Sequence, residues 1–160
     1  MTVVYIGLGS NLDNPLQQVV DALTDLEKLP ESSVLKRSSL YRSAPQGPQD
    51  QPDFINAVIK LETELTPEVL LDHLQQIEHK HGRLRDTHWG PRTLDLDLLL
   101  YGNMKINTVK LTLPHAQMAT RSFVLEPLLE IEMDLEIPGL GSAVQLYRKL
   151  QTGPLSRVVQ

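Results

Sequence analysis

The stretch RTLDLDLLLYG, residues 92–102, combines the leucine-rich pattern of a buried β-strand with two acidic residues. Side chains alternate between the two faces of a strand, so Asp95 and Asp97 lie on one face and the leucines on the other. We expect their Cα atoms about 6.5 Å apart, a separation at which two carboxylates can bind one hard cation or a pair of them. The alternative is that each aspartate pairs with a nearby Arg or Lys, or faces water.

Strand and helix patterns precede and follow this stretch. In chain order they predict a strand over 2–8, a helix from Pro15 to about Lys28, an extended segment over 33–42, a strand over 54–65, a helix that begins at Pro67 and ends at Gly82, the strand around Asp95, an extended segment near 105–113 and a helix from about Arg121 to Ile131. This order predicts an α+β fold with a ferredoxin-like βαββαβ core and additional C-terminal elements, in which helices pack on one face of a mainly antiparallel sheet. Residues 139–160 carry weak signals and are assigned to no element.

The first helix has a recognisable start signal. Asn14 is a favourable N-cap residue and Pro15 suits the first helical position. Gln17 stands where the third residue of a capping box would stand, so we expect its side chain to close the cap.

The composition is that of a folded soluble protein, with 41% hydrophobic and 22% charged residues among 160. This length fits a single domain over residues 1–160. The chain has no cysteine, which excludes disulfides, thiolate zinc sites and a cysteine nucleophile. The net charge of −5 argues against binding of a nucleic acid backbone by bulk electrostatics. With no predicted membrane span or signal sequence, we expect a cytoplasmic monomer that binds neither nucleic acid nor membrane.

Positive charge is nevertheless concentrated in the segment HKHGRLRDTHWGPRT, residues 79–93. Arginine presents a planar fork that binds two phosphate oxygens, and a Mg²⁺ ion held by carboxylates binds such oxygens from the other side. This combination is typical of phosphoryl transfer. The alternative for any single cation is a solvated surface charge. The candidate phosphate ligands near the aspartate strand are Arg83, Arg85, Arg92, Lys110, His115 and Arg121.

Other motifs in the chain carry less information. The segment GLGSNL lacks the third glycine of a dinucleotide-binding fingerprint, because Leu12 stands in its place, and no glycine is followed by lysine as a P-loop requires. His79 and His81 point in different directions on a helix, so a zinc site is not expected. Trp89, Phe54 and Phe123 are by default core residues, although each can also stack on a flat heterocycle.

The segments GPQDQPDFINAV, residues 47–58, and WGPRTLDLDLLLYG, residues 89–102, resemble those of bacterial 6-hydroxymethyl-7,8-dihydropterin pyrophosphokinases. The similarity covers roughly residues 3–130 and fades in the C-terminal tail. It implies a folate-pathway enzyme that transfers the β,γ-diphosphate of ATP to the hydroxymethyl group of the pterin and releases AMP. From the residues alone, attack at the α, β or γ phosphorus stays open, and only the resemblance selects β.

The resemblance also implies a role for individual residues. Asp95 and Asp97 would hold two Mg²⁺ ions that bridge the triphosphate, and Arg83 and Arg92 would act in catalysis. The pterin would lie between Phe54 and Phe123, and its polar edge would be recognised by Asn56 and by the chain around Ser43, Ala44 and Gln46. The residues implied to bind ATP are Gln75, Glu78, Arg85, Trp89, Lys110, Thr112, His115 and Arg121, with Glu78 beneath the nucleoside.

The chain departs from the family pattern at a few positions. Phe54 replaces a common tyrosine and keeps the stacking face, whereas Ala116 replaces an aromatic residue and removes one. Lys110 replaces an arginine and offers a point charge without a bidentate fork. The segment from Arg85 to Trp89 is one residue shorter than in the enteric form, so His88 receives no role. Two rival functions remain at this stage: a nucleotidyl or γ-phosphoryl transferase with the same two aspartates, and a non-catalytic module that binds nucleotides or RNA.

Overall fold

A central antiparallel sheet organises the residues that the computed structural model describes, which are 1–12, 14–44, 52–82 and 94–158. The strands are β1 (Thr2–Ser10), β2 (Ser32–Arg37), β3 (Tyr41–Ser43), β4 (Phe54–Thr63), β5 (Asp95–Tyr101), β6 (Ile106–Asn107), β7 (Thr112–Leu113), β8 (Glu136–Ile137), β9 (Gly141–Ser142) and β10 (Ser156–Arg157). The helices are α1 (Pro15–Glu27), α2 (Pro67–Lys80), α3 (Ser122–Ile131) and α4 (Ala143–Leu150). The main sheet has the order β10-β3-β4-β1-β5, and β2 also pairs with β4.

The pairing of the core strands confirms the predicted ferredoxin-like arrangement. β1 lies between β4 and β5 and pairs antiparallel with both, while β2 and β3 pair antiparallel with β4. β5 lies at the edge of the main sheet, where it pairs with β1, and α2 packs against it. The two aspartates therefore lie at this edge of the sheet. The predicted extended segment over 33–42 contains two strands, β2 and β3, which pair with successive parts of β4.

The helices cover both faces of the sheet, so the expectation of helices on one face only was wrong. The face that carries Ile6 and Leu8 of β1 packs against α1 and α2 and forms one hydrophobic cluster. The opposite face carries Tyr5 and Val58, which pack with residues of α3 and α4 in a second cluster. The helices α1 and α2 of the predicted core thus lie on one face of the sheet, and the C-terminal helices α3 and α4 lie on the other.

Residues 139–158, the described part of the segment that the sequence left unassigned, contribute both to this second layer and to the main sheet. β9 pairs with β8, α4 follows directly, and β10 extends the sheet beyond β3. The helix α4 begins at the N-cap Ser142, whose side chain accepts a hydrogen bond from the backbone N–H of Gln145. In the described part of the chain, no helix combines the length and the apolar character that crossing a membrane requires.

The start of α1 differs from the sequence prediction. Asn14 is the N-cap residue, but its φ of 62° is left-handed and its side chain makes no capping hydrogen bond. Gln17 does not close the cap either, because its side-chain amide donates to Asp21 Oδ1 at 2.8 Å, one turn further along the helix. The expected capping box is therefore absent, and helix entry depends on Pro15 and on the apolar face. By contrast, Thr66 caps α2 as a side-chain acceptor for the N–H of Val69.

The C-terminal ends of α1 and α2 are joined by a cluster of polar side chains. Lys80 Nζ lies 2.7 Å from Asp25 Oδ1, and the His81 ring lies 3.1 Å from Asp25 Oδ2 and 2.5 Å from Gln18 Oε1. Burial raises the pKa of Asp25, but the hydrogen bonds and charges of Lys80 and His81 outweigh it, so that this pKa lies below its ordinary value. An ionised Asp25 therefore connects the two helices.

We predict that Asp25→Asn lowers the free energy of unfolding by about 1 kcal/mol near neutral pH, since it removes the charge from a hydrogen-bonded ion pair. A depressed folded-state pKa stabilises the protein above the unfolded-state value of about 3.9, and this contribution disappears as the pH falls through the folded-state value. Urea unfolding of wild type and variant from about pH 6 downward measures the difference. Asp21→Asn, one turn earlier on α1, is the control; a pH-independent difference for Asp25→Asn would contradict the assignment.

Candidate active site

Strand pairing places the two aspartates beside a glycine-containing strand. Asp97 is opposite Gly7 of β1, and Asp95 is opposite Gly9. Gly9 is also opposite Asn56 of β4, on its other side. Directly paired residues of an antiparallel sheet point to the same face, so a carboxylate, a glycine and a carboxamide form one row across three strands. Asp95 and Asn56 are separated by two strand spacings, roughly 9–10 Å.

Gly9 keeps the middle of this row open. A Cβ at this position would lie 3.1 Å from Asn56 Oδ1 and 3.7 Å from Cδ1 of Phe54. The first of these distances is shorter than an ordinary contact, so any larger residue would displace the carboxamide. The glycine thus forms a flat floor between the carboxylates on one side and Asn56 and Phe54 on the other.

Asp97 has two cationic or potentially cationic neighbours on this face. Its carboxylate lies 3.9 Å from His115 Nε2 and 4.0 Å from Arg121 Nη1. The side chain of Asp97 is 40% exposed, so it faces solvent while remaining within reach of both neighbours. These contacts are longer than hydrogen bonds, so the attraction between Asp97 and its two neighbours is electrostatic.

The His115 ring is oriented by the chain around it. Its backbone N–H donates to Leu99 O at 2.9 Å, and its Nδ1 accepts from the N–H of Gln117 at 3.2 Å. Because Nδ1 is an acceptor, a neutral ring carries its proton on Nε2, the nitrogen that faces Asp97. Burial and the Arg121 charge lower the pKa of His115, the nearby Asp97 raises it, and the net direction is downward. The ring therefore tends to be a neutral donor towards the aspartate.

Arg121 connects the carboxylates to the aromatic side of the site. Besides approaching Asp97, its guanidinium donates a hydrogen bond to Gln117 Oε1. It also lies 5.5 Å from the centroid of the Phe123 ring, within cation–π distance. Arg121 precedes α3 and Phe123 lies in its first turn, so the start of this helix brings a positive charge and an aromatic face to the same location.

Asn56 and its neighbours form the polar wall beyond the glycine. Asn56 is 3% exposed, and its Nδ2 donates to Ser43 Oγ at 2.7 Å. Phe54 is half-buried and pairs with Ser43 across β3 and β4. Phe54 and Asn56 share a face with Val58, which belongs to the cluster against which Phe123 packs. Both phenylalanines therefore lie on the same side of the sheet, and Ala44 is exposed directly after Ser43.

Glu78, which the resemblance places beneath the nucleoside, contacts the backbone of β5. Its side chain is buried at 3% exposure, and Oε2 accepts a hydrogen bond from the backbone N–H of Leu96 at 2.7 Å. Leu96 lies between the two aspartates, so α2 holds the edge of β5 through this carboxylate. The outer edge of β5 therefore has two hydrogen-bond partners outside the sheet. The N–H of Leu96 donates to Glu78, and the carbonyl of Leu99 accepts from the N–H of His115.

The other residues implied to bind ATP lie on α2 and the β6–β7 hairpin. Gln75 is half-buried on α2, and Thr112 is exposed on β7 opposite Asn107. Lys110 Nζ lies 3.1 Å from Asp72 Oδ1 of α2, and both side chains are about half exposed. The replacement of an arginine by Lys110 is thus accompanied by an acidic partner. The predicted residues Gln46, Arg83, Arg85, Trp89 and Arg92 lie outside the described residues.

The donor set fits a magnesium ion that is shared with a phosphate ligand. No group of three or more His, Asp or Glu side chains suited to a metal occurs within the described ranges. Two carboxylates on one strand face are nevertheless the usual protein contribution to a Mg²⁺ site, because phosphate oxygens and water complete the octahedron. Asp95 and Asp97 are both partly exposed and therefore accessible to such a ligand.

Sequence reasoning missed three contributors to this site. Gly9 was considered only within the incomplete dinucleotide-binding motif GLGSNL, Asp72 was not considered, and Gln117 was not singled out. Strand register could have identified Gly9, but the register requires knowing that β1 lies between β4 and β5. Asp72 contacts Lys110, which lies 38 positions later in the chain, and Gln117 contacts Arg121, which lies four positions later. The former separation leaves no local pattern to read.

Three comparisons describe what the chain is similar to. A family model described as 7,8-dihydro-6-hydroxymethylpterin-pyrophosphokinase matches residues 5–133. A Haemophilus influenzae protein named 2-amino-4-hydroxy-6-hydroxymethyldihydropteridine pyrophosphokinase is 50% identical over 149 residues, which is 93% of either chain. A Pseudomonas aeruginosa protein of the same name is 50% identical over 135 residues, 84% of this chain and 83% of its own.

Among solved structures, the Plasmodium falciparum HPPK-DHPS wild type with pteroate superposes with a TM-score of 0.74 at 14% identity. The match covers 92% of this chain and 42% of that one, so this chain spans less than half of the two-part protein. At such low identity the likeness shows the fold alone. The fold agrees with the ferredoxin-like arrangement described above.

We predict that Glu78→Ala lowers the free energy of unfolding by about 2–3 kcal/mol, because it leaves the Leu96 N–H without its charged acceptor in a buried location. Glu78→Gln keeps an acceptor oxygen and should lose about half as much. Gln76→Ala, two residues away on the exposed side of α2, is the control and should change little. Denaturant unfolding measures all three, and equal losses for Glu78→Ala and Gln76→Ala would contradict the anchoring role.

Proposed function

Because this chain belongs to the 7,8-dihydro-6-hydroxymethylpterin-pyrophosphokinase family, we propose that it transfers the β,γ-diphosphate of ATP to the hydroxymethyl group of 6-hydroxymethyl-7,8-dihydropterin. The products are AMP and the pterin diphosphate, an intermediate of folate biosynthesis. Curated relatives that cover almost the whole chain carry the name of this reaction. The enzyme is therefore a diphosphotransferase, and ATP is its donor substrate.

One structural observation carries the assignment to this site: Asn56, Gly9 and Asp95 form a single row across three strands. A carboxamide presents a donor and an acceptor side by side, which matches the amide edge of a pterin. A carboxylate at the other end of the row can hold the cation that a triphosphate requires. The glycine between them leaves space for the hydroxymethyl arm of the pterin to approach the phosphate.

We assign magnesium to the carboxylate end of the row. Asp95 and Asp97 would hold two Mg²⁺ ions together with the phosphate oxygens of ATP. When bound there, magnesium supplies positive charge that neutralises the triphosphate and aligns it. The partial exposure of the Asp97 carboxylate supports this assignment, and His115 and Arg121, about 4 Å away, can contact the phosphate oxygens.

The chain's own residues bind and orient the two substrates. Asn56, oriented by Ser43, would recognise the polar edge of the pterin, while Phe54 and Phe123 would stack on its rings. From the family resemblance we propose that the chain around Ala44 and Gln46 also contributes to pterin recognition. Arg121, between Asp97 and Phe123, is placed to contact the transferred phosphate next to the pterin.

The nucleotide end is assigned by the family resemblance and by position. His115 can donate from Nε2 to a phosphate oxygen, and Lys110 offers a point charge. Arg83 and Arg92 are proposed to stabilise charge that develops on the transferred group in the transition state, which is the interaction that raises kcat. The remaining proposed ATP ligands are Gln75, Glu78, Arg85, Trp89 and Thr112. For Glu78 we propose an indirect role through the backbone of β5.

The biological form follows from the same proposal. We propose that residues 1–160 act as one pyrophosphokinase domain and that the enzyme is a cytoplasmic monomer. Both substrates are small molecules, and the net charge of −5 gives no electrostatic reason for binding nucleic acid.

The test of the proposed function identifies the nucleotide product. Incubation of the protein with Mg²⁺, ATP and 6-hydroxymethyl-7,8-dihydropterin should yield AMP in step with the pterin consumed, and none without the pterin. Attack at the γ phosphorus would yield ADP instead, and attack at the α phosphorus would yield pyrophosphate. Stoichiometric ADP would identify an ordinary kinase, and no nucleotide product would favour a binding module.

Asp97→Ala provides the matched inactive protein for this assay. It should abolish AMP formation while leaving the fold intact, because removal of one of two neighbouring like charges relieves repulsion as it destroys metal binding. Asp95→Ala should behave in the same way. Near-normal turnover of either variant in excess Mg²⁺ would show that the aspartates are structural.

We predict that Asp72→Asn lowers the KM for ATP by about two- to fivefold, because it releases Lys110 from a competing partner. The exposed ion pair is worth at most about 1 kcal/mol, which sets the upper limit of the gain. The control Glu68→Gln removes an equivalent charge one turn earlier on the exposed side of α2. Steady-state kinetics at low ionic strength distinguish the two, and an equal effect of both variants would show general electrostatics instead of a specific pair.

A further inference from the structure

A carboxylate on α3, Glu130, joins three parts of the chain beyond the pterin end of the site. Its Oε1 accepts the hydroxyl of Tyr41 at 2.6 Å and the backbone N–H of Ser39 at 2.9 Å, and its Oε2 accepts Ser39 Oγ at 2.8 Å. The guanidinium of Arg157, on β10, lies 3.9 Å from Oε2 and 5.5 Å from the centroid of the Tyr41 ring. We call this group of four residues the Glu130 junction.

The Glu130 junction connects the two walls between which the pterin is proposed to bind. On the sheet side, Tyr41 is in β3, directly opposite Asn56 and two residues before Ser43. On the helix side, Glu130 follows Phe123 by seven residues, which is two turns, so both lie on the same side of α3. The rise between them is about 10 Å. α3 is one continuous helix from Ser122 to Ile131, with Pro127 between the two residues, so we expect a change in the separation of α3 and β3 at Glu130 to move Phe123 as well.

The Glu130 junction is a strong contact because it combines a mostly buried carboxylate with a buried tyrosine. The Glu130 side chain is 23% exposed, and Tyr41 is completely buried. Burial raises the pKa of Glu130, but the hydrogen bonds from Tyr41 and Ser39 and the charge of Arg157 lower it by a larger amount. The net pKa lies below its ordinary value, so the carboxylate stays ionised. Charge-assisted hydrogen bonds of this kind are shorter and stronger than neutral ones.

We propose that Glu130 is a positioning residue, which through Tyr41 and Ser39 sets the distance between the α3 wall and the β3–β4 wall of the pterin slot. This inference rests on the proposed function. It assigns a role in pterin binding to residues that do not touch the substrate. It also gives the C-terminal strand β10 a part in that role, because Arg157 and the hydrogen bond from Val158 N to Leu40 O hold β3 from its outer side.

A second tyrosine–glutamate contact at the end of α3 provides the matched comparison. Tyr5 donates to Glu132 Oε1 at 3.2 Å, and Lys60 lies 2.6 Å from the same oxygen. Tyr5 and Lys60 are a directly paired couple on β1 and β4, four residues along each strand from the Gly9–Asn56 pair. This contact also ties α3 to the sheet, but it involves neither β3 nor Ser39. Loss of either tyrosine hydroxyl removes the same chemical group, and only Tyr41 belongs to the Glu130 junction.

The experiment compares steady-state kinetics of Tyr41→Phe, Glu130→Ala and Glu130→Gln with those of wild type and Tyr5→Phe, using AMP release as the readout. Glu130→Ala should raise the KM for the pterin on the order of tenfold, since small displacements of binding groups are costly, with the KM for ATP unchanged. Tyr41→Phe should raise it by a smaller factor. Glu130→Gln keeps acceptor oxygen and should restore part of the loss, while Tyr5→Phe should leave both constants near those of wild type.

Several outcomes would overturn the inference. Equal pterin KM values for Tyr41→Phe and Tyr5→Phe, or an equal rise in the KM values for ATP and pterin, would show that the contact only stabilises the fold. If Glu130→Ala does not fold, Tyr41→Phe and Glu130→Gln decide the question by the same comparison. A wild-type protein that forms no AMP would refute the proposed function instead, so the two failures are distinguishable.

Discussion

The antiparallel pairing of β1 with a strand on each side is the constraint on which the site depends. β4 supplies Asn56, β5 supplies Asp95, and both are opposite Gly9. Because paired residues share a face, the backbone hydrogen bonds of three strands determine which side chains can meet one ligand. A shift of one residue in either pairing would send the carboxylates or the carboxamide to the opposite face, against α1 and α2.

This arrangement separates the stabilising face of the sheet from the reactive one. Leu96 and Leu98 of β5 pack with the β1 residues Val4, Ile6 and Leu8 and with α1 and α2, and together they form the larger hydrophobic cluster. The other face is apolar only where α3 and α4 cover it, and it becomes polar towards Asp95 and Asp97. The strand thus satisfies two requirements at once, because its alternation assigns packing to one set of residues and the proposed magnesium ligands to the other.

Buried and half-buried carboxylates hold the elements around this face. Glu78 fixes the outer edge of β5, Glu130 joins α3 to β3, and Glu132 joins α3 to β1 and β4. Each accepts from backbone or side-chain donors, which compensates the cost of removing its charge from water. Such contacts are directional, and the contact of Glu130 therefore specifies how α3 lies against β3 more narrowly than apolar packing alone. Arg121 and Phe123 at the start of α3 depend on that placement.

The sequence by itself determined the order of the core elements, the strand with two aspartates and the family, because period-two and period-3.6 patterns are local and the motif WGPRTLDLDLLLYG is specific. It also indicated His115 and Arg121 as companions of the aspartates. Only the tertiary structure decided that helices cover both faces, that Gln17 bonds to Asp21 instead of capping α1, and that Glu78 holds a backbone N–H. The role of Gly9 depends on its pairing with Asn56, 47 residues away in the chain. The role of Glu130 depends on its hydrogen bond with Tyr41, 89 residues away. Long-range pairs of this kind leave no local pattern, since strand register and helix placement arise only when distant segments pack together.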